Sequence, residues 1–178
     1  MKRLTLVYII SAILLLSIPS LAKPNVHIIA TGGGIAGSVK NTLESNLNTS
    51  QLTADGMISL IPDLKVIAKL SSAQLYNKPS QQFLPKDWIE VAKKVKVAVD
   101  NPEIDGVIVT HGTDTIEETA YFVHLTVQSK KPIVFVGATR PYNHIGTDMK
   151  SNLLDAVIVA ANKKSQKKGV LIVLNGKI

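Results

Sequence analysis

Apolar residues along this chain recur in two rhythms. Val26 to Ala30, Gly106 to Thr110, Pro132 to Val136 and Gly169 to Leu174 are short, nearly unbroken apolar runs rich in valine and isoleucine. Runs of that length and composition predict strands buried on both faces. Leu64 to Leu70 alternates apolar and polar in places and predicts a further strand. Between the runs the rhythm becomes helical. Pro85 opens the clearest case: Trp88, Val91, Ala92, Val95 and Val99 share one face, while Glu90, Lys93, Lys94 and Lys96 take the other. Asp114 to Val127 predicts a helix with Ile116, Ala120, Val123 and Val127 on its apolar side. Asn152 to Asn162 predicts another, and Asp55 to Ile61 a short one stopped by Pro62. Ser38 to Ser50 is polar with little helical periodicity, and Pro79-Ser80-Gln81-Gln82 belongs to a loop.

Buried strands alternating with amphipathic helices predict an α/β fold in three layers, a mostly parallel, Rossmann-like sheet with helices on both faces. Ligands of such sheets bind outside the carboxyl ends of the strands. Three loops are expected to converge there: "ATGGGIAG" after the first strand, "THGTDT" after Val109 and "GATRP" after Val136.

Composition changes this picture at the amino end. Of 178 residues, 46% are hydrophobic, enough for one domain with a sizeable core. Lys2 and Arg3 followed by the apolar run Leu4 to Ile18 and the small residues Ser20-Leu21-Ala22 fit a secretory signal cleaved near Ala22. The expectation is therefore a signal peptide over 1–22, a single domain over 23–178, and an exported, periplasmic protein with no membrane contact after cleavage. The absence of cysteine excludes disulfide and thiolate chemistry. The net charge of +7 is spread through the pairs Lys93-Lys94, Lys130-Lys131, Lys163-Lys164 and Lys167-Lys168, without interleaved aromatic residues. Such pairs read as solvated surface rather than a nucleic-acid stripe.

Candidate chemistry lies in the loops. Gly32, Gly34 and Gly37 spell G-x-G-x-x-G after a strand, the opening of a dinucleotide-binding loop. The residues beyond the glycines defeat that reading. "SVKNTLESNLNTS" offers no apolar face for a helix to bring its amino terminus to a pyrophosphate, and neither Glu44 nor Asp55 ends a second strand. In "GVIVTHGTDTIEET", Thr113 or Asp114 would cap the next helix, with Glu117 or Glu118 reaching back. Capping leaves His111 unexplained. A hydroxyl and a carboxylate where a strand meets a helix also suit holding an anionic ligand or orienting a nucleophile.

At these residues the chain resembles the bacterial type II L-asparaginases and their glutaminase-asparaginase relatives. "IVTHGTDTIEETAYF" carries the likeness, supported by "ATGG-IAG", Ser80-Gln81, "KPIVFVGATRP" and "NLLDAV". The resemblance implies hydrolysis of asparagine to aspartate and ammonia through a threonine nucleophile, without cofactor or metal, in a homotetramer. It also assigns Thr113 and Asp114 to the catalytic cluster, and Ser80, Gln81, Thr113, Asp114 and the Ala138 carbonyl to the substrate. That substrate is asparagine, with glutamine or aspartate as alternates.

The chain departs from the pattern at the nucleophile. The family motif Thr-Gly-Gly-Thr-Ile reads Thr31-Gly32-Gly33-Gly34-Ile35 here, so Gly34 stands where the reacting hydroxyl belongs. Thr31 lies three residues earlier and is expected to bond local backbone instead. Leu47 falls at the place of the loop tyrosine. The family's lysine and second domain lie past the equivalent of Ile178, and Met149-Lys150 replaces a Gly-Pro. The expectation is an asparaginase N-terminal domain that is crippled as an enzyme; the alternative is a non-catalytic binder of small amino acids or a decayed gene product.

Overall fold

The computed structural model describes residues 22–40 and 52–178. The signal-like run, Glu44, Leu47 and most of the polar stretch after Ser38 lie outside the described residues. Five strands form one sheet: β1 (Asn25–Gly32), β2 (Lys69–Lys78), β3 (Gly106–Thr110), β4 (Ile133–Val136) and β5 (Val170–Val173), in the order β2-β1-β3-β4-β5. All neighbours are parallel, with Val26 opposite both Leu70 and Gly106. The helices are α1 (Ala54–Ser59), α2 (Leu64–Ile67), α3 (Pro85–Asp100), α4 (Ile116–Thr126) and α5 (Met149–Ala161).

The uninterrupted apolar strands are explained by their two faces. Val26, Ile28 and Ala30 of β1, Ile108 of β3 and Val134 and Val136 of β4 pack with Met57, Leu64 and Leu153 from α1, α2 and α5. Their alternates Ile29, Val107, Val109, Ile133 and Phe135 pack with Val91 and Val95 of α3 and Ala120 and Val123 of α4. Side chains alternate across a strand, and here both sides are covered. The predicted three layers are therefore observed.

One predicted strand is corrected. Leu64–Ile67 is a helical turn, with the Ala68 N–H bonded to the Leu64 carbonyl at 3.1 Å. Leu64 is fully buried while Val66 is 69% exposed, an alternation that one turn of helix produces as readily as a strand. The strand starts at Lys69 and runs to Lys78 through mostly polar sequence, because β2 is an edge strand with a partly exposed face. The helix predicted from Asp114 starts at Ile116, and the residue at its cap is Thr115. Neither Thr113 nor Asp114 fills that place, and the Thr115 hydroxyl donates to the Ser80 carbonyl at 3.2 Å instead of capping its own helix.

Candidate active site

The parallel sheet brings the strand-end loops to one pole, where glycine packs them backbone to backbone. β1 ends in Gly32 and Gly33, with φ of 101° and 79°. Only glycine takes such angles without strain. A Cβ on Gly33 would collide with the Gly112 backbone after β3. Gly112 in turn lies on the loop after β2: a Cβ there would fall 2.5 Å from Ser80 Oγ and 2.8 Å from Ser80 Cβ. The loop after β4 closes in from the other side. A Cβ on Gly137 would sit 2.9 Å from both the His111 carbonyl oxygen and Thr113 Cγ2.

These contacts bring Ser80, Thr113 and the Gly137–Ala138 segment into one cluster beside the first loop. Ser80 is 1% exposed, and its Oγ has no hydrogen-bond partner. A buried hydroxyl in that condition is uncommon, and it has a donor and an acceptor to offer. Thr113 is half-buried and Ala138 buried; Gln81 and Asp114 are exposed at the rim. Gly34 opens a 3-10 turn, Gly34–Ala36, next to Gly33. Unlike Gly32 and Gly33 it has no positive φ, so a side chain at Gly34 meets no backbone strain.

Two networks that sequence reading missed hold the loops in place. Lys78 at the end of β2 pairs with Asp87 in the first turn of α3, Nζ to Oδ2 at 2.8 Å, and its ammonium lies 4.6 Å and 4.9 Å from the Tyr76 and Phe83 ring centroids. Asp87 Oδ2 also accepts the Leu84 N–H at 2.8 Å. Burial pushes the Asp87 carboxyl upward, but the bonds from Lys78, the Leu84 N–H and Tyr76, with the Lys78 charge, outweigh it and leave the group below its ordinary range. The segment fastened between Lys78 and Asp87 is the one carrying Ser80 and Gln81.

The second network holds the β4 loop. Asp148 accepts the N–H groups of Thr139 at 2.9 Å and Arg140 at 2.8 Å, and the Asn152 side-chain amide at 2.9 Å. Asn152, 1% exposed, also donates to the Gly137 carbonyl at 3.0 Å and accepts the Asn175 N–H at 3.0 Å. One amide thus ties the ends of β4 and β5 on either side of Ala138. The sequence signal was an Asp-x-x-x-Asn spacing at the start of a helix, which places both side chains on one face.

His111 has a structural role beneath the cluster. It is fully buried, its Nδ1 donates to the Gly112 carbonyl at 2.9 Å, and its ring packs on Phe83 and Phe135 with centroids 4.6 Å and 6.2 Å away. Nε2 is buried without a partner. Burial lowers the His111 pKa against the opposing Gly112 bond and Glu117 charge, so a neutral imidazole fills the core here. Thr31 is fully buried as well. Its hydroxyl donates at 2.7 Å to the Thr110 carbonyl of the neighbouring strand rather than to local backbone, which commits it to the sheet.

A parallel α/β sheet whose strand-end loops are packed together at glycines is the class of fold that places its ligand sites at that end of the sheet. More particularly, the chain belongs to the asparaginase family: the family model "Asparaginase, N-terminal" matches residues 25–178. It is 43% identical over 156 residues to L-asparaginase 2 of Escherichia coli, covering 88% of this chain and 44% of that protein. It is also 43% identical over 155 residues to a probable periplasmic L-asparaginase of Haemophilus influenzae, covering 87% of this chain and 44% of that one. Among solved structures, a probable cytoplasmic L-asparaginase from Campylobacter jejuni superposes with a TM-score of 0.83 at 39% identity, over 86% of this chain and 47% of that one. The chain thus spans less than half the length of these relatives.

Proposed function

We propose that this chain carries the amino-acid-binding part of an L-asparaginase-type amidohydrolase site, and that as written it holds its substrate without hydrolysing it at an enzymatic rate. The carrying observation is Gly34. It occupies the first loop beside the Gly33–Gly112–Ser80 packing, where the resemblance places a threonine hydroxyl, and it supplies no atom to attack a carbonyl. Amide hydrolysis by this route needs that oxygen to form an acyl-enzyme, a base to take its proton, and donors for the tetrahedral oxyanion. The remaining residues suit binding. The Ser80 hydroxyl and Gln81 would hold the α-carboxylate, Asp114 the α-ammonium, and the Ala138 carbonyl the side-chain amide, with Thr113 between them. The ligand class is asparagine, with glutamine and aspartate as alternates. The leader-like run Leu4 to Ile18 supports export.

The test is ammonia release from asparagine. Losing a nucleophile costs roughly four to six orders of magnitude in turnover. Turnover above about one per second, ordinary for an enzyme, would overturn the reading and move the nucleophile to Thr113. Titration with aspartate by NMR checks the binding half. Saturable shifts at Ser80 and Gln81 that vanish in Asp114→Ala are expected; no shift at high millimolar ligand would refute it.

A further inference from the structure

The lysine pairs that look scattered in sequence are gathered by the topology. Because all five strands run parallel, every segment that leads into a strand lies at the amino pole, opposite the candidate site. Lys23 precedes β1 and Lys69 begins β2; Lys130 and Lys131 precede β4, and Lys163, Lys164, Lys167 and Lys168 precede β5. Lys65 joins them, its carbonyl accepting the Lys23 ammonium at 2.8 Å. The Lys167 N–H donates to the Lys130 carbonyl at 3.0 Å, which sets two pairs side by side and holds Lys167 at φ 60°, an angle rare for a side-chain-bearing residue. All of these lysines except Lys131 are exposed.

Their charge is not neutralised. The ion pairs among the described residues join Lys78 to Asp87, Lys93 to Glu90 and Lys96 to Asp100, so none involves the lysines just named. The facing carboxylates are Asp63, Asp100, Glu103 and Asp105; Asp100 is paired with Lys96 on its own helix, and Asp105 is engaged by the Asn25 N–H at 2.8 Å. A groove of about 370 Å³ opens among Lys23, Lys69, Asp105, Asn162, Lys163 and Gln166, room for a phosphate headgroup.

We propose that this pole docks the protein on an anionic phospholipid surface, leaving the amino-acid site turned away toward solvent. Each lysine held near such a surface raises partitioning about fivefold, an effect confined to a Debye length and weakened by salt. Aromatic residues do not interleave with the lysine pairs, which favours a lipid surface over the base-stacking platforms of single-stranded nucleic acid.

The experiment is co-sedimentation of the full chain with vesicles of phosphatidylcholine alone or mixed with phosphatidylglycerol, at low and high salt. The expected result is stronger partitioning to the anionic vesicles, lost as salt rises. Substituting Lys163, Lys164, Lys167 and Lys168 together by glutamine should lower anionic partitioning by at least about tenfold. The melting temperature and the binding to neutral vesicles should not move. The same four positions changed to arginine keep the charge and should keep the partitioning. Equal partitioning of wild type and the glutamine variant, loss of binding in the arginine variant, or equal binding to both vesicle types would overturn the proposal. Tighter binding to a DNA duplex than to the anionic vesicles at matched salt would also overturn it, in favour of nucleic acid.

Discussion

Replacing Asp87 by alanine tests how the Ser80–Gln81 loop is held. Three bonds converge on that carboxylate: the Lys78 ammonium at 2.8 Å, the Leu84 N–H at 2.8 Å, and the Tyr76 hydroxyl. The helix-start bond to Leu84 contributes about 1 kcal/mol. The Tyr76 bond contributes about 1 kcal/mol. The Lys78 side chain is 25% exposed. The ion pair is therefore set at about 1 kcal/mol, between the values of surface and buried pairs. The expected loss is about 3 kcal/mol, a drop of about 6–12 °C in melting temperature for a chain of this size. Urea unfolding of wild type, Asp87→Asn, Lys78→Met and the double variant isolates the ion pair, whose coupling should be about 1 kcal/mol. The sign with pH is fixed by the carboxyl lying below its ordinary range. Its stabilisation is complete above the unfolded value of about 3.9 and fades as pH falls through the folded value, so the wild-type and Asp87→Asn curves should converge in acid. A loss below about 0.5 kcal/mol for Asp87→Ala, smaller than a single cap, would refute the idea that this pair fastens the loop. So would curves that diverge in acid.

Asn152→Ala should cost about 2–3 kcal/mol, since it strands the buried Gly137 carbonyl and the Asn175 N–H. It should also broaden the NMR signals of residues 137–140; sharp, unshifted signals there would count against a positioning role. His111→Phe removes the unpartnered Nε2 but also the Nδ1 bond to the Gly112 carbonyl, and it adds volume between Phe83 and Phe135. At neutral pH its denaturation free energy should fall by about 1–3 kcal/mol from wild type. Because burial lowers the His111 pKa, the unfolded chain takes up its proton first. His111 should therefore contribute a fall in wild-type stability of up to about 1.4 kcal/mol per pH unit below about 6.5. The variant should flatten that slope without abolishing it, since burial lowers His27 as well. An unchanged slope would show that His111 titrates normally.

What sequence made legible was decided by burial. β1, β3 and β4 are covered on both faces, and their apolar runs announced them within a residue or two. β2 pairs on one side only, so its polar residues hid it and the preceding Leu64–Ile67 turn borrowed its alternation. In the site, the glycines of the first and third loops were visible as motifs. That Gly33 and Gly112 touch was not, because the contact depends on parallel pairing across seventy-odd intervening residues. Asp87 and Asn152 lay within ordinary helix patterns, Lys78 and Asp148 lay outside any predicted element, and all four gained meaning only when the loops they brace came together. The lysine pole stayed hidden for the same reason: pairs far apart in sequence share one end of a parallel sheet.

The strand order also sets a timetable. β1 is synthesised first yet sits inside the sheet, pairing Val26 with Leu70 on one side and Gly106 on the other. Until β2 emerges it has no neighbour, and its second edge stays open until β3 has been made. Parallel pairings this distant close large loops before they are rewarded, and sheets built from them form slowly. During that interval an apolar strand is exposed to aggregation and to chaperones. The same delay keeps a nascent chain threadable.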